Sequence, residues 1–220
     1  MSFFDDNRKV GLALIIVGII DIISVLVITA ALFYNVISEG SELYSVLAIA
    51  IGTAGTLVLG ILFIFFGKNV RKGPNDKVAI TSGFFRVLGI GAIVTGICAI
   101  ISFVMLAGSW TTMITGVIGI ISGLLYLWAS FKVAGGNKNT IGHILWVILL
   151  IISLFGIIAG LPAIIELIAG FLIIFTGGLL AIAGLSFMLG GITAICMMFV
   201  YAYVFLALFS PEVKKSMGVE

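Results

Sequence analysis

Asp21 is the residue of this chain best placed to do chemistry. It stands in an apolar run, residues 10–33, that is otherwise free of charge. At 1.5 Å per helical residue it lies roughly 18 Å beyond Lys9, close to the middle of a bilayer. Inserting a carboxylate at that depth costs roughly 2.5–3.5 kcal/mol, and such residues mark functional sites by default. No Lys, Arg or His lies at comparable depth to pair with it. Thr53, Thr56 and Thr95 fall in the neighbouring runs and could hydrogen bond to it across helices. Two roles are open to this carboxyl. One is polar glue between helices; the other is handling a proton or cation, or contacting a partner subunit.

The remaining candidates are weaker. Glu166 follows Pro162 early in a helical segment, where the helix dipole favours a carboxylate. His143 sits at the edge of an apolar run with no carboxylate or Cys beside it, which suits an interfacial position. Cys98 and Cys196 lie inside apolar runs and read as small apolar filler. Neither a disulfide framework nor a metal site follows from them. The chain carries no hydrolase triad order, zinc-protease helix, phosphate loop or dinucleotide glycine motif. The expectation is therefore no catalytic residue, no cofactor and no metal.

The elements that must hold Asp21 follow from composition. Hydrophobic residues make up 62% of the chain and charged residues 9%, with a mean hydropathy of +1.39. Soluble domains carry about 25% charged residues, and so strong a deficit cannot cover a water-facing surface. The apolar runs are continuous and do not alternate, which excludes a membrane β-barrel. The predicted class is an all-α, polytopic transmembrane helical bundle whose first partner is the lipid bilayer. No basic patch is interleaved with aromatics, so nucleic acid is not an expected partner. The first run is too long for a signal peptide and is predicted to stay as the first span.

Charge-free stretches set the predicted spans. Residues 10–33 and 43–67 make the first two. Residues 87–131 are too long for one span and fit two, broken near Trp110. A fifth covers 141–159 and ends at Gly160-Leu161-Pro162, a turn in which Pro can open the next helix. Residues 167–210 are again charge-free and fit two spans broken at Gly190-Gly191, or one span plus a shorter piece broken at Gly177-Gly178. Length favours seven spans. Lys214 and Lys215, which prefer the cytoplasm, favour six. Lys and Arg cluster before the first run, after the second and after the fourth, whereas the loop before residue 43 carries Glu39 and Glu42. The positive-inside rule then puts the N-terminus in the cytoplasm of a cell whose plasma membrane holds the protein.

The chain also repeats itself. Arg8, Gly11, Gly18 and Ile22-Ile23-Ser24 reappear in register as Arg86, Gly89, Gly96 and Ile100-Ile101-Ser102. Gly52, Gly55 and Lys68 align with Gly116, Gly119 and Lys132, and Lys138 with Ile151-Ile152-Ser153 makes a fainter third echo. Asp21 falls opposite Ala99 and Leu150, outside the shared pattern. The predicted organisation is a cytoplasmic tail (1–9), a first helical hairpin (10–67), a basic cytoplasmic loop (68–85), a second hairpin (86–131), a cytoplasmic loop (132–140), a weaker third hairpin (141–189), a C-terminal transmembrane helix (190–210) and a polar tail (211–220). The hairpins would be parallel repeats around an axis along the membrane normal.

Glycine accounts for 28 of 220 residues, roughly twice the usual share of about 7%. Gly119 with Gly123 and Gly156 with Gly160 have the small-xxx-small spacing that lets helices approach closely in lipid. Gly52, Gly55, Gly116, Gly119, Gly123, Gly156 and Gly160 are the predicted packing positions. They would serve the bundle itself, or a face for another copy or another membrane subunit. The functional expectation is a non-catalytic membrane protein acting through helix packing as a structural or accessory subunit. The alternative is a small transporter or channel using Asp21.

Overall fold

Long charge-free runs in this chain become long helices. The computed structural model describes residues 6–39, 43–106, 110–135, 141–175 and 178–219. They form eight helices: α1 (Asn7–Glu39), α2 (Leu43–Lys72), α3 (Lys77–Leu106), α4 (Trp110–Val133), α5 (Ile141–Ala159), α6 (Ala163–Ile174), α7 (Gly178–Leu208) and α8 (Pro211–Met217). Six stretches among the described residues are long and apolar enough to cross a membrane, where seven were expected. The expected breaks at residues 107–109 and at Gly177, and the charges of Glu42 and Lys138, lie outside the described residues.

The difference between six and seven comes from Pro162. Its backbone is helical, with φ −61° and ψ −21°. Proline has no N–H to offer, so the bonds around it tighten to the i−3 carbonyl: Gly160 N–H donates to Ile157 and Leu161 N–H to Ile158. The chain kinks there and keeps its direction. Successive contacts bear this out: Gly156 meets Tyr201, Gly160 meets Met198, and Gly191 and Gly184 of α7 meet Ala163 and Gly170 of α6. α5 and α6 thus run as one track antiparallel to α7. Residues 160–162 do not reverse the chain, and the candidate crossing Gly142–Ile174 includes both helices. α7 passes through Gly190-Gly191 without a break.

One expected loop shrinks for a related reason. α2 continues to Lys72 and α3 begins at Lys77, so the 68–85 loop contracts to residues 73–76. Hydropathy marks where lipid ends, whereas a helix ends where its backbone bonds stop. Asp76 Oδ1 accepts from Ala79 N–H at 3.0 Å and starts α3 ten residues before Val87. The first turns of α3 then bury Ile80, Phe84 and Phe85. α4 closes at Val133, followed by Gly135 at φ 100°, a left-handed turn that suits Gly. The tail 211–220 is likewise structured: Ser210 caps α8 by accepting from Val213 N–H, Pro211 opens it, and Gly218 closes it at φ 73°.

Four helix pairs share the most extensive packing: α3 with α4 and α1 with α2, then α2 with α3 and α6 with α7. α8 lies across α3, α4, α5 and α7 and buries Val213 and Met217. Gly142 at the start of α5 abuts the Met217 carbonyl. Both ends of the described chain therefore meet at one end of the bundle, together with the 73–76 turn and the described Lys and Arg side chains. We refer to it as the basic end.

The shared core gathers near the basic end. Leu14, Val17, Phe63, Phe84, Phe85, Leu149, Tyr203 and Val204 are buried there from five different helices. Ring contacts tie the layer together: Phe84 meets Tyr201 edge-on at 5.3 Å, and Phe85 stacks on Tyr126 at 6.0 Å. Toward the far end the helices meet mainly in pairs. Large apolar side chains such as Ile114, Ile118, Ile165, Leu172 and Phe175 are exposed there, as lipid contact requires.

Candidate functional site around Asp21

α1 carries Gly11 and Gly18 two turns apart, so both face α2. The facing helix answers with Gly67 and Gly60 at the same spacing. A Cβ added at Gly11 would sit 2.6 Å from the Gly67 carbonyl oxygen, and one at Gly60 would sit 2.8 Å from that of Gly18. Asp21, one turn beyond Gly18, stands on the flank of this crossing. Its Cβ lies 3.0 Å from where a Gly60 Cβ would be. The absent side chain at Gly60 is the room that Asp21 occupies.

The carboxylate has no hydrogen-bond or ion-pair partner among the described residues, and the threonines expected to serve it do not reach it. Thr53 and Thr56 lie seven and four residues before Gly60 and so share its face of α2. Thr53 Oγ1 donates to the Ala50 carbonyl of its own helix at 3.0 Å. Thr95 packs against Gly55, on the face of α2 that meets α3. Other hydroxyls of the spans also turn back on their own helices: Ser102 to Cys98 at 2.9 Å, Thr115 to Thr111 at 2.8 Å and Ser153 to Leu149 at 2.8 Å. Asp21 is thus a lone carboxyl beside a glycine, half-buried between α1 and α2. His143 and Glu166 are both exposed and far apart in the fold. Among the described residues no three of His, Cys, Asp and Glu group closely enough to hold a metal.

The packing glycines separate into two kinds. Gly116 and Gly123 meet a facing glycine's backbone: a Cβ at Gly123 would lie 2.7 Å from the Gly89 carbonyl oxygen, and one at Gly96 2.6 Å from that of Gly116. Gly119 lies between them, 3.3 Å from the Ala92 carbonyl oxygen by the same measure. Gly52 and Gly55 face Ser102 and Thr95 of α3, and Gly156 and Gly160 face the large side chains Tyr201 and Met198. The alignment of Gly52 and Gly55 with Gly116 and Gly119 therefore does not describe equivalent positions. The glycines of α2 that stand where Gly116 and Gly123 stand are Gly60 and Gly67. On α6 and α7 the same arrangement recurs, with Ala163 and Gly170 against Gly191 and Gly184.

The chain matches no protein-family model, no curated protein and no solved structure.

Reading by four-residue spacing missed Gly60, Gly67, Gly170, Gly184 and Gly191. The signal that would have found them is their seven-residue spacing. Also missed was the polar network that closes the basic end. Asn7 Nδ2 donates to the carbonyls of Val70 at 3.0 Å and Gly73 at 2.9 Å, satisfying the C-terminus of α2. Trp146 Nε1 donates to Leu208 at 2.7 Å and does the same for α7. Tyr203 Oη donates to Asn75 Oδ1 at 2.8 Å, and Ser82 Oγ donates to the Ser130 carbonyl at 2.9 Å. These bonds join residues remote in sequence. The Ser210-Pro211 start of α8, by contrast, has a local signature.

Proposed function

We propose that this integral membrane protein is non-catalytic and acts through helix packing, as a structural or accessory subunit of a membrane assembly. The observation that carries the reading is the fate of the polar groups inside the spans. Among the described residues, Thr53, Ser102, Thr115 and Ser153 bond to carbonyls of their own helices, Ser82 bonds across to Ser130 near the basic end, and none of these shares a site with Asp21. The exposed apolar faces of α4 and α6 are what the molecule offers to its surroundings.

In this reading the protein is three copies of one unit: α1–α2, α3–α4 and α5/α6–α7, each crossing out and back. Seven-residue pairs of small residues at each crossing support the internal repeat. Six crossings then put both termini on one side. The Lys and Arg at the basic end make that side the cytoplasm, and the plasma membrane the host. The test is isolation of the tagged chain at native abundance in a mild detergent. Stoichiometric recovery with another membrane protein supports an accessory subunit; recovery as a lone monomer contradicts it.

A second reading, a small transporter or channel, is favoured by one observation: Asp21 has no partner at a depth where an unpartnered carboxyl is costly. It predicts that Asp21→Asn abolishes a solute or proton flux in proteoliposomes while the protein still folds. Unchanged flux or no flux in the parent chain removes it.

A further inference from the structure

We propose that Arg8, Lys68, Arg71 and Lys72 form a site for the phosphate headgroup of an anionic phospholipid, with Ile15 and Ile64 receiving the first part of its acyl chains. These six residues line a cleft of about 720 Å³ between α1 and α2 at the basic end. The helix period builds it. Arg8 and Ile15 are two turns apart on one face of α1, and Ile64, Lys68 and Arg71 follow one face of α2. The Gly11–Gly67 crossing brings the two rows together: a Cβ at Gly11 would lie 2.8 Å from the Cβ of Arg71. Cations from two helices thereby share one cleft.

All four cationic side chains are exposed, and none has an ion-pair partner among the described residues. The neighbouring Lys9 pairs with Asp6 at 4.0 Å and Asp76 accepts from Ala79 N–H at 3.0 Å, so these two acids of the basic end are engaged outside the four. Four cations held together without a counter-charge repel one another, and an anion relieves that repulsion. The cleft also grades from charge to hydrocarbon along the helix axes. Ile19 and Ile61, the next residues in the two rows toward the bilayer, are exposed and apolar. A free phosphate has no use for that wall, whereas a phospholipid at the interface meets both parts at once. The feature is not a by-product of the hairpin design. The positions after Gly123 on α4 that correspond to Lys68, Arg71 and Lys72 are Leu124, Leu127 and Trp128.

The test uses the full chain, delipidated in detergent, titrated with dioleoyl phosphatidylglycerol or dioleoyl phosphatidylcholine and read by native mass spectrometry. The expected result is one bound phosphatidylglycerol preferred over phosphatidylcholine by about tenfold or more, as several basic contacts to one headgroup imply. Combining Arg8→Gln, Lys68→Gln, Arg71→Gln and Lys72→Gln should remove the preference. If that variant does not fold, the Lys68→Gln, Lys72→Gln pair should lower it severalfold. Lys214→Gln with Lys215→Gln, on α8, should leave it unchanged. Equal binding of the two lipids, a preference that survives the cleft substitutions, or an equal loss in the α8 control overturns the site. Displacement of the lipid by millimolar glycerol 3-phosphate or inorganic phosphate overturns the lipid assignment in favour of a soluble anion.

Discussion

Thr81 is fully buried at the basic end, and its Oγ1 has no hydrogen-bond partner among the described residues. Removing such a hydroxyl while keeping the shape relieves a desolvation cost of about 1–3 kcal/mol. Thr81→Val should therefore raise the melting temperature in detergent, and a fall would show that the hydroxyl is bonded in solution. Asn7 is the opposite case. Its amide satisfies two carbonyls at the end of α2, so Asn7→Ala should destabilise by about 1–2 kcal/mol and loosen that turn first. Hydrogen exchange at residues 70–76 would report it, and unchanged protection would contradict the capping role. The place of Asp21 along α1 was legible in the sequence because it depends only on counting along one helix. Its surroundings were not. Whether Thr56 or Thr95 can reach Asp21 depends on which faces α1, α2 and α3 turn to one another, and that is set by the Gly18–Gly60 and Gly55–Thr95 crossings.

At the scale of elements, the seven-residue glycine pairs decide which helices touch. Gly18 abuts the Gly60 carbonyl, so Gly18→Ala must push backbone against backbone. Overpacking of this kind costs about 1–3 kcal/mol, and Gly96→Ala should behave alike in the second hairpin. Gly190 is the control: nothing would lie within 4 Å of its added Cβ. Gly190→Ala should be neutral or stabilising by up to about 1 kcal/mol through helix propensity. Thermal unfolding of the three variants separates close packing from glycine content; equal effects would contradict the crossings. The helical class and the first four apolar runs could be read directly, because lipid demands continuous apolar helices. The boundaries could not. Asp76 starts α3 in a segment whose hydropathy reads as loop, and Pro162 kinks a helix where its flanking Gly suggested a reversal. In each case a local backbone bond outweighed the pattern of side chains.

For the whole molecule, the six-crossing account joins the N-terminal turn, the 73–76 turn and α8 at one end. Sequence length pulled toward seven spans because the α5–α6 track and α7 are each longer than a bilayer strictly requires. Lys214 and Lys215 pointed the other way, and α8 folds at the same end as Asn7. In the proposed orientation this arrangement presents a basic, capped end to the cytoplasm, with the proposed lipid cleft on one flank. It also leaves α4 and α6 as the apolar faces available to other subunits. The most direct test replaces Cys98 and Cys196 with Ser and places a single Cys at Ser2 or at Ser216. Each protein is labelled in sealed right-side-out vesicles with a membrane-impermeant maleimide. The account predicts that both sites stay unlabelled until the vesicles are opened. Labelling of Ser216→Cys in sealed vesicles while Ser2→Cys stays protected would put the termini on opposite sides and contradict it.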